Sequence, residues 1–283
     1  MEPFIRNPIL DAPERYELKA WENLLPELTA GFTGRSGGVG RSPYDSLNLA
    51  LHVGDEVEDV LANRRRLSEA LGFKPEAWTC GEQVHGSEVA VVKAKDRGKG
   101  SLNREGAFQH TDGLVTDEPG VLLTSFYADC VPLYFMDPVR RVVGLAHAGW
   151  KGTVARIAVA VIETMEREFG SSRGDIRTAI GPSIGGCCYE VDDRVMVKVR
   201  EALEAAGEPA GESQIAVPSP QEGRMMLNLK EMNRIIMIKA GILPMHIECT
   251  SWCTSCRNDV FFSYRKDGGV TGRMASWVGL KER

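Results

Sequence analysis

Apolar and polar positions divide the chain into short buried runs and a few amphipathic stretches. Short apolar runs bounded by turn residues mark buried strands. Leu28–Phe32, Trp78–Cys80, Glu88–Val92, Leu122–Tyr127, Val142–Ala146, Ile176–Ile180 and Ile247–Cys249 fit that description. Ser42–Leu51 reads as a turn followed by a strand. Val260–Arg265 and Thr271–Val278 read as a terminal hairpin joined by Lys266-Asp267-Gly268-Gly269, a sequence with hairpin turn chemistry. Four stretches carry the helical period. Val57–Leu71 has apolar residues at 57, 60, 61, 67 and 71, with Gly72 as its stop. Thr153–Phe169 is the strongest, with Thr153 placed to cap it and Gly170 to end it. Asp192–Ala206 and Met226–Ala240 follow. Residues 1–27 read as an irregular arm with one or two short elements, and Lys93–Gln109, polar and glycine-bearing, as a surface loop.

Composition narrows the classes. A chain of 283 residues makes one large domain or two small ones, and a 43% hydrophobic fraction is enough for a full core. No linker composition and no short repeat divides it. A formal net charge of -5, with both signs interspersed, argues against nucleic acid or an anionic membrane as partner. No apolar run approaches the roughly 20 residues that span a bilayer. The start, MEPFIRNPILDAPERYELKAW, has early acids and prolines and no apolar core of a secretory signal, so a cytoplasmic location is expected. The seven cysteines do not make a disulfide scaffold in a chain of this length and are expected as thiols or ligands.

The chemistry concentrates at the ends of the buried runs. Leu122–Tyr127 leads into Ala128-Asp129-Cys130, and Val142–Ala146 into His147. If those strands are neighbours, Cys130 and His147 meet near a sheet edge, as a catalytic pair or as two-thirds of a metal site. His85 lies in the compact turn Gln83-Val84-His85-Gly86 and is a third contributor. Two imidazoles and a thiolate, with a fourth position open, suit a catalytic zinc; the alternative is that the three only pack. The helix starting at Thr153 would direct its N-terminal dipole toward His147 and favour an anion there. Thr33–Arg41, a glycine-rich basic loop, lacks the Gly-Lys-Ser/Thr ending of a P-loop and the dinucleotide spacing. It is either a flexible loop or an anion cradle built from amides and Arg35. Arg64-Arg65-Arg66 is expected on a solvated helix face, and His52 and His110 as structural residues. Cys187-Cys188, adjacent and awkward as chelators of one ion, are expected as core thiols. Cys249, Cys253 and Cys256 with His246 suggest a structural zinc site, against which stands the missing two-pair spacing.

Gln83-Val84-His85-Gly86, Ala128-Asp129-Cys130, Ala146-His147-Ala148-Gly149-Trp150 and Phe261-Phe262-Ser263-Tyr264-Arg265 together resemble the motifs of the YlmD/YfiH family, whose members carry a laccase-domain, polyphenol oxidoreductase label. The Thr33-Gly34-Arg35 loop, Ser46-Leu47-Asn48-Leu49 and Ile180-Gly181-Pro182 match as well, so the resemblance runs from about residue 30 to the C-terminus. It implies a single α+β domain over 1–283, with mixed β-sheets packed between helices, and a relation in fold to deamidating toxins. It implies a metal triad at His85, Cys130 and His147, holding zinc or, alternatively, copper. It implies purine nucleosides and phosphate as substrates: phosphorolysis of adenosine, inosine and methylthioadenosine, with adenosine deamination. Polyphenol oxidation with copper and cleavage of a wrongly built cell-wall precursor amide are the other activities associated with relatives. Nothing fixes the oligomeric state as monomer or homodimer.

The residues discriminate among these. A multicopper laccase needs a blue-copper site plus a histidine-rich copper cluster, and five histidines cannot build both. Deamination by zinc-activated water has precedent at His/Cys sites, with Asp129 a candidate proton carrier. Phosphorolysis needs an anion site, for which Arg35, Lys151 and Arg265 are candidates; Asn48 and Gln83, from the matching motifs, complete the expected substrate-binding set.

Overall fold

The apolar runs assemble into two six-stranded sheets stacked face to face. In the computed structural model, residues 1–7, 12–208 and 211–282 are described. One sheet has the order β1 (Ile5–Arg6), β2 (Arg15–Glu17), β3 (Leu28–Thr33), β15 (Met274–Leu280), β7 (Leu122–Tyr127), β4 (Trp78–Cys80). The other runs β14 (Ile247–Cys249), β10 (Arg177–Ile180), β8 (Val131–Asp137), β9 (Val142–Ala148), β6 (Gly113–Thr116), β5 (Val89–Val91). β4–β7, β5–β6 and β10–β14 are parallel, and the other pairs antiparallel, so both sheets are mixed. A small third sheet joins β11 (Glu190–Asp192), β13 (Arg224–Leu227) and β12 (Ala216–Pro218). The helices are α1 (Lys19–Glu22), α2 (Val57–Leu71), α3 (Trp150–Val154), α4 (Ile157–Phe169), α5 (Asp193–Ala205), α6 (Glu212–Ile215) and α7 (Leu229–Lys239).

The central strands are buried at every position because both of their faces are covered. On β7, Leu123 and Tyr127 point into the core between the sheets, while Leu122 and Phe126 pack with Leu67 and Leu71 of α2. On β9, Val143 and Leu145 face the inter-sheet core, and Val142, Ala146 and Ala148 face α4 and α7. The period of two puts His147 on the inter-sheet side with Val143 and Leu145, at the end of the strand. The result is an α+β architecture layered helix, sheet, sheet, helix, as the resemblance implies.

Several local expectations are corrected. Leu122–Tyr127 and Val142–Ala148 are not paired neighbours: they lie in opposite sheets, and β8 supplies the hairpin partner of β9. The arm is integral, since β2 pairs with β3 and Trp21 of α1 is fully buried with its indole N–H donating to Glu248. Ser42–Leu51 forms turns without a strand; Leu47 and Leu49 are buried, and the Asn48 side chain takes up local backbone groups. Thr153–Phe169 is two helices broken at Ala155-Arg156, with Arg156 at φ 60°. Thr153 lies inside α3 and accepts from Asn233 instead of capping. Met226 and Leu227 belong to β13, and α7 begins after Asn228, whose side chain caps it. The terminal hairpin is absent because both edges of β15 are already taken, by β3 and β7. Residues 260–265 are turns and irregular chain without a strand. Arg64 is buried: it donates to the carbonyls of Leu49, Gly100 and Ser101 and lies over the rings of Trp78 and Phe126. Those carbonyls and rings compensate a charge that the solvated-face reading left in water.

Candidate functional site

His147 reaches the site because β9 ends there, and Cys130 because β8 begins opposite. The register pairs Pro132 with His147 and Val131 with Ala148, so the residue before β8 falls beside the imidazole. His85 comes from the turn after β4, held in the left-handed region at φ 63°. One carboxylate fixes that turn: Asp112 accepts from the backbone N–H of Val84, His85 and Gly86 at 3.1, 3.1 and 2.8 Å. The same carboxylate lies 2.8 Å from Nδ1 of His147, and its own carbonyl accepts from the His147 N–H. Asp112 therefore positions both imidazoles. It commits Nδ1 of His147 and leaves Nε2 toward the thiol.

The ligand atoms of His85, Cys130 and His147 lie within 4.8 Å of one another. Nε2 of His85 is 3.9 Å from Sγ of Cys130, and the two imidazole rings stand edge to face with centroids 4.7 Å apart. Gly149 makes room for this group, because a Cβ there would lie 2.7 Å from Cδ2 of His85 and 3.1 Å from Sγ of Cys130.

The electrostatics are tightly coupled. Burial alone would push the Cys130 thiol up, but the charge and hydrogen bond of His147, with His85 beside it, outweigh this and bring it down to about 6. Burial alone would lower His147; the Cys130 thiolate and the Asp112 carboxylate instead raise it to about 9. Burial opposes ionisation of Asp112 too, yet His147 and the turn amides hold it below the usual carboxylate range. A thiolate and an oriented imidazole pair are a donor set suited to a borderline-soft metal ion.

The group forms one wall of a cavity of about 520 Å³, within the range of small-molecule sites. Phe126, Trp150, Tyr189 and Tyr264 supply aromatic walls, and Arg265 and Arg273 supply cations. A second hollow of about 260 Å³ shares His85, Cys130 and Tyr189 and adds Lys151 and Leu229. Asp129 lines both, but each of its oxygens is engaged. Oδ1 accepts from the Thr254 hydroxyl at 2.6 Å and Oδ2 from the Arg265 backbone N–H at 2.7 Å. Its backbone is left-handed at φ 89°. Gln83 lines the cavity with its amide bound at both ends to the backbone of Phe126.

Two expected substrate residues are not brought to this cavity. Arg35 donates to the Asn258 carbonyl at 2.8 Å and lies over the Phe262 ring. Asn48 is fully buried, donating to Asp55 and accepting from the Arg273 backbone N–H. The helix that begins just past His147 is the five-residue α3, with no side-chain cap. Sequence reasoning missed Asp112, Tyr189 and Arg273. The only available signal for Asp112 was its place at a strand entrance, in His110-Thr111-Asp112-Gly113.

Fold and site together define an α+β protein built on two stacked six-stranded sheets, with a cysteine–histidine centre in an aromatic cavity. The family model described as multi-copper polyphenol oxidoreductase laccase matches residues 29–281, and the chain belongs to that family. It is 46% identical over 253 residues to purine nucleoside phosphorylase YlmD of Geobacillus stearothermophilus, covering 89% of this chain and 90% of that one. It is 42% identical over 256 residues to purine nucleoside phosphorylase YlmD of Bacillus subtilis, covering 90% of each. A crystal structure of YlmD from Geobacillus stearothermophilus superposes with a TM-score of 0.91 at 41% identity, over 100% of both chains.

Proposed function

We propose that the chain is a zinc-dependent purine nucleoside phosphorylase, converting adenosine, inosine and methylthioadenosine with phosphate to free base and the pentose 1-phosphate, with adenosine deamination as a second activity. The observation that carries the reading is a His85–Cys130–His147 donor group opening onto an aromatic cavity that also holds two arginines. The names of the similar phosphorylases supply the substrate class. Several features favour zinc at this group: converging ligand atoms, the gap kept by Gly149, and Asp112 behind His147. When bound, zinc supplies Lewis acidity to the reacting centre.

The chain's own residues divide the remaining work. Aromatic rings stack the purine. Arg265 and Arg273, which line the same cavity, hold phosphate through charge-assisted hydrogen bonds. Asp112 keeps Nε2 of His147 directed inward. Asp129 acts by clamping the 254 and 265 loops, its oxygens being already shared with them. Two of the five histidines join the donor group, so copper-dependent phenol oxidation would be a weak side activity.

One observation favours a second reading. Cys130, His147 and Asp112 stand in the order of a thiol nucleophile, its base and the base's orienting carboxylate, as in a Cys–His amide hydrolase. Such an enzyme could act on a cell-wall precursor amide. Metal content and product analysis separate the two. Adenosine and inosine are incubated with the protein, with and without phosphate, and products are identified by chromatography. The expected result is base and ribose 1-phosphate only when phosphate is present, together with inosine formed from adenosine. Base release unaffected by omitting phosphate would replace the phosphorylase with a hydrolase. Activity of zinc-free protein on an amide, with none on nucleosides, would support the second reading.

A further inference from the structure

A second sulfur centre lies outside this cavity. Cys187 and Cys188 on the loop after β10, and Cys253 and Cys256 on the loop after β14, bring four Sγ atoms within 4.8 Å of one another. Sγ of Cys256 is 3.5 Å from that of Cys187 and 3.4 Å from that of Cys188. Thiolates around tetrahedral zinc, at Zn–S of about 2.3 Å, are separated by about 3.8 Å, so the cluster has the right size. The cysteines are free, and Cys256 is about equally close to two partners, which a disulfide at about 2.05 Å would not allow. Packing does not explain two of the four either. Free cysteine is ordinarily buried, whereas Cys187 and Cys256 are exposed.

The loops are shaped around the sulfurs. Gly185 donates its N–H to Sγ of Cys253 at 3.2 Å, as backbone amides do toward thiolates. A Cβ at Gly185 would lie 3.2 Å from Sγ of Cys187 and 3.3 Å from Cβ of Cys253, so the loops cross closely there. Ser183 and Cys253 form a bridge, and Thr254 N–H donates to the Ser183 carbonyl at 3.1 Å.

We infer that Cys187, Cys188, Cys253 and Cys256 bind a structural zinc ion that fastens the loop after β10 to the loop after β14. The donor set is all thiolate, which selects a soft or borderline metal and leaves no open position. Binding releases the thiol protons and leaves a tetrathiolate zinc of net charge -2. The brace reaches the cavity through Thr254, whose hydroxyl is held by Asp129, and through Ile184, whose N–H donates to the Asp129 carbonyl at 2.9 Å. The site is independent of the ion proposed at His85, Cys130 and His147.

Metal content of the full chain, expressed with zinc and gel-filtered, tests this by elemental analysis and native mass spectrometry. Cys256→Ser and Cys188→Ser are each expected to carry one zinc fewer per chain than the unaltered protein, while His147→Ala keeps this zinc. Should the serine variants fail to fold, the unaltered protein still answers. Titrating it with a mercurial thiol reagent in the presence of a chromophoric zinc chelator should release one zinc as these four thiols react. Equal zinc in folded Cys256→Ser and unaltered protein would overturn the inference. So would rapid alkylation of all four thiols in the native protein, a disulfide among them by peptide mapping, or iron in place of zinc.

Discussion

The two sulfur centres differ in donors, setting and the way the chain delivers them. His85, Cys130 and His147 mix nitrogen and sulfur, and they sit against a cavity, in the turn after β4, just before β8 and near the end of β9. Cys187, Cys188, Cys253 and Cys256 offer sulfur alone, on two loops. A mixed set beside open volume leaves room for a substrate; a closed set of thiolates leaves none. On the roles proposed above, the surroundings of a cysteine, more than its own chemistry, separate reactive from structural sulfur. Asp129 joins the two regions, since it touches Thr254 between Cys253 and Cys256 and follows the strand that leads to Cys130.

The largest effect is expected at the mixed centre. His147→Ala should lower nucleoside turnover by more than the roughly 10–100-fold typical of losing a residue that only supports a ligand. Zinc at that centre should fall in parallel, while circular dichroism stays unchanged. Full occupancy of the centre by zinc in the variant would break the assignment. Asp112→Asn comes next, at about 10–100-fold in activity or metal affinity. The amide cannot accept from three backbone N–H groups and His147 as the carboxylate does. Metal affinity and turnover, measured together, check it; an unchanged protein would mean that the imidazoles are positioned by packing alone.

The first centre was legible in the sequence and the second was not, for a physical reason. His85, Cys130 and His147 each follow or enter a buried run, so strand ends mark them even before their neighbours are known. Cys187-Cys188 and Cys253-Thr254-Ser255-Cys256 come together only because β10 and β14 pair in parallel and their following loops cross. The C-x-x-C spacing of Cys253 and Cys256 marks half a site, but nothing local marks Cys187-Cys188 as the other half. Helix α2 was legible to the residue because period and Gly72 agree. The break between α3 and α4 was not, since neither glycine nor proline marks Ala155-Arg156. The terminal hairpin failed because turn chemistry reports local preference, while β15 was already paired on both edges.

Asp129→Asn tests the link between the regions and should have a smaller effect. Weakening its charged hydrogen bonds to Thr254 and Arg265 should cost about 1.5–3 kcal/mol of stability, read as a lower denaturant midpoint. Phosphorolysis and deamination should fall by similar factors, because the cavity wall loosens for both. Deamination falling far more than phosphorolysis would instead make Asp129 a proton carrier.

The smallest effect is expected at Arg35, and its contrast with Arg273 decides where phosphate binds. Arg35 spends its guanidinium on the Asn258 carbonyl and the face of Phe262, both in the framework beside the cavity. Arg273 lines the cavity itself, although its NH1 also donates to the carbonyls of Thr271 and Gly272. Losing one charge-assisted contact to phosphate costs about 1.5–3 kcal/mol, or roughly ten- to a hundredfold. Arg273→Ala should therefore raise the phosphate KM by about that factor and leave adenosine deamination less affected, because water needs no anion pocket. Arg35→Ala should reduce stability by about 1 kcal/mol through the lost ring contact and hydrogen bond, and lower both reactions alike. Steady-state kinetics with phosphate as the varied substrate reads the difference. A phosphate KM raised tenfold in Arg35→Ala, with Arg273→Ala unchanged, would move the anion site to the glycine-rich loop at residues 33–41 and away from the cavity beside Cys130.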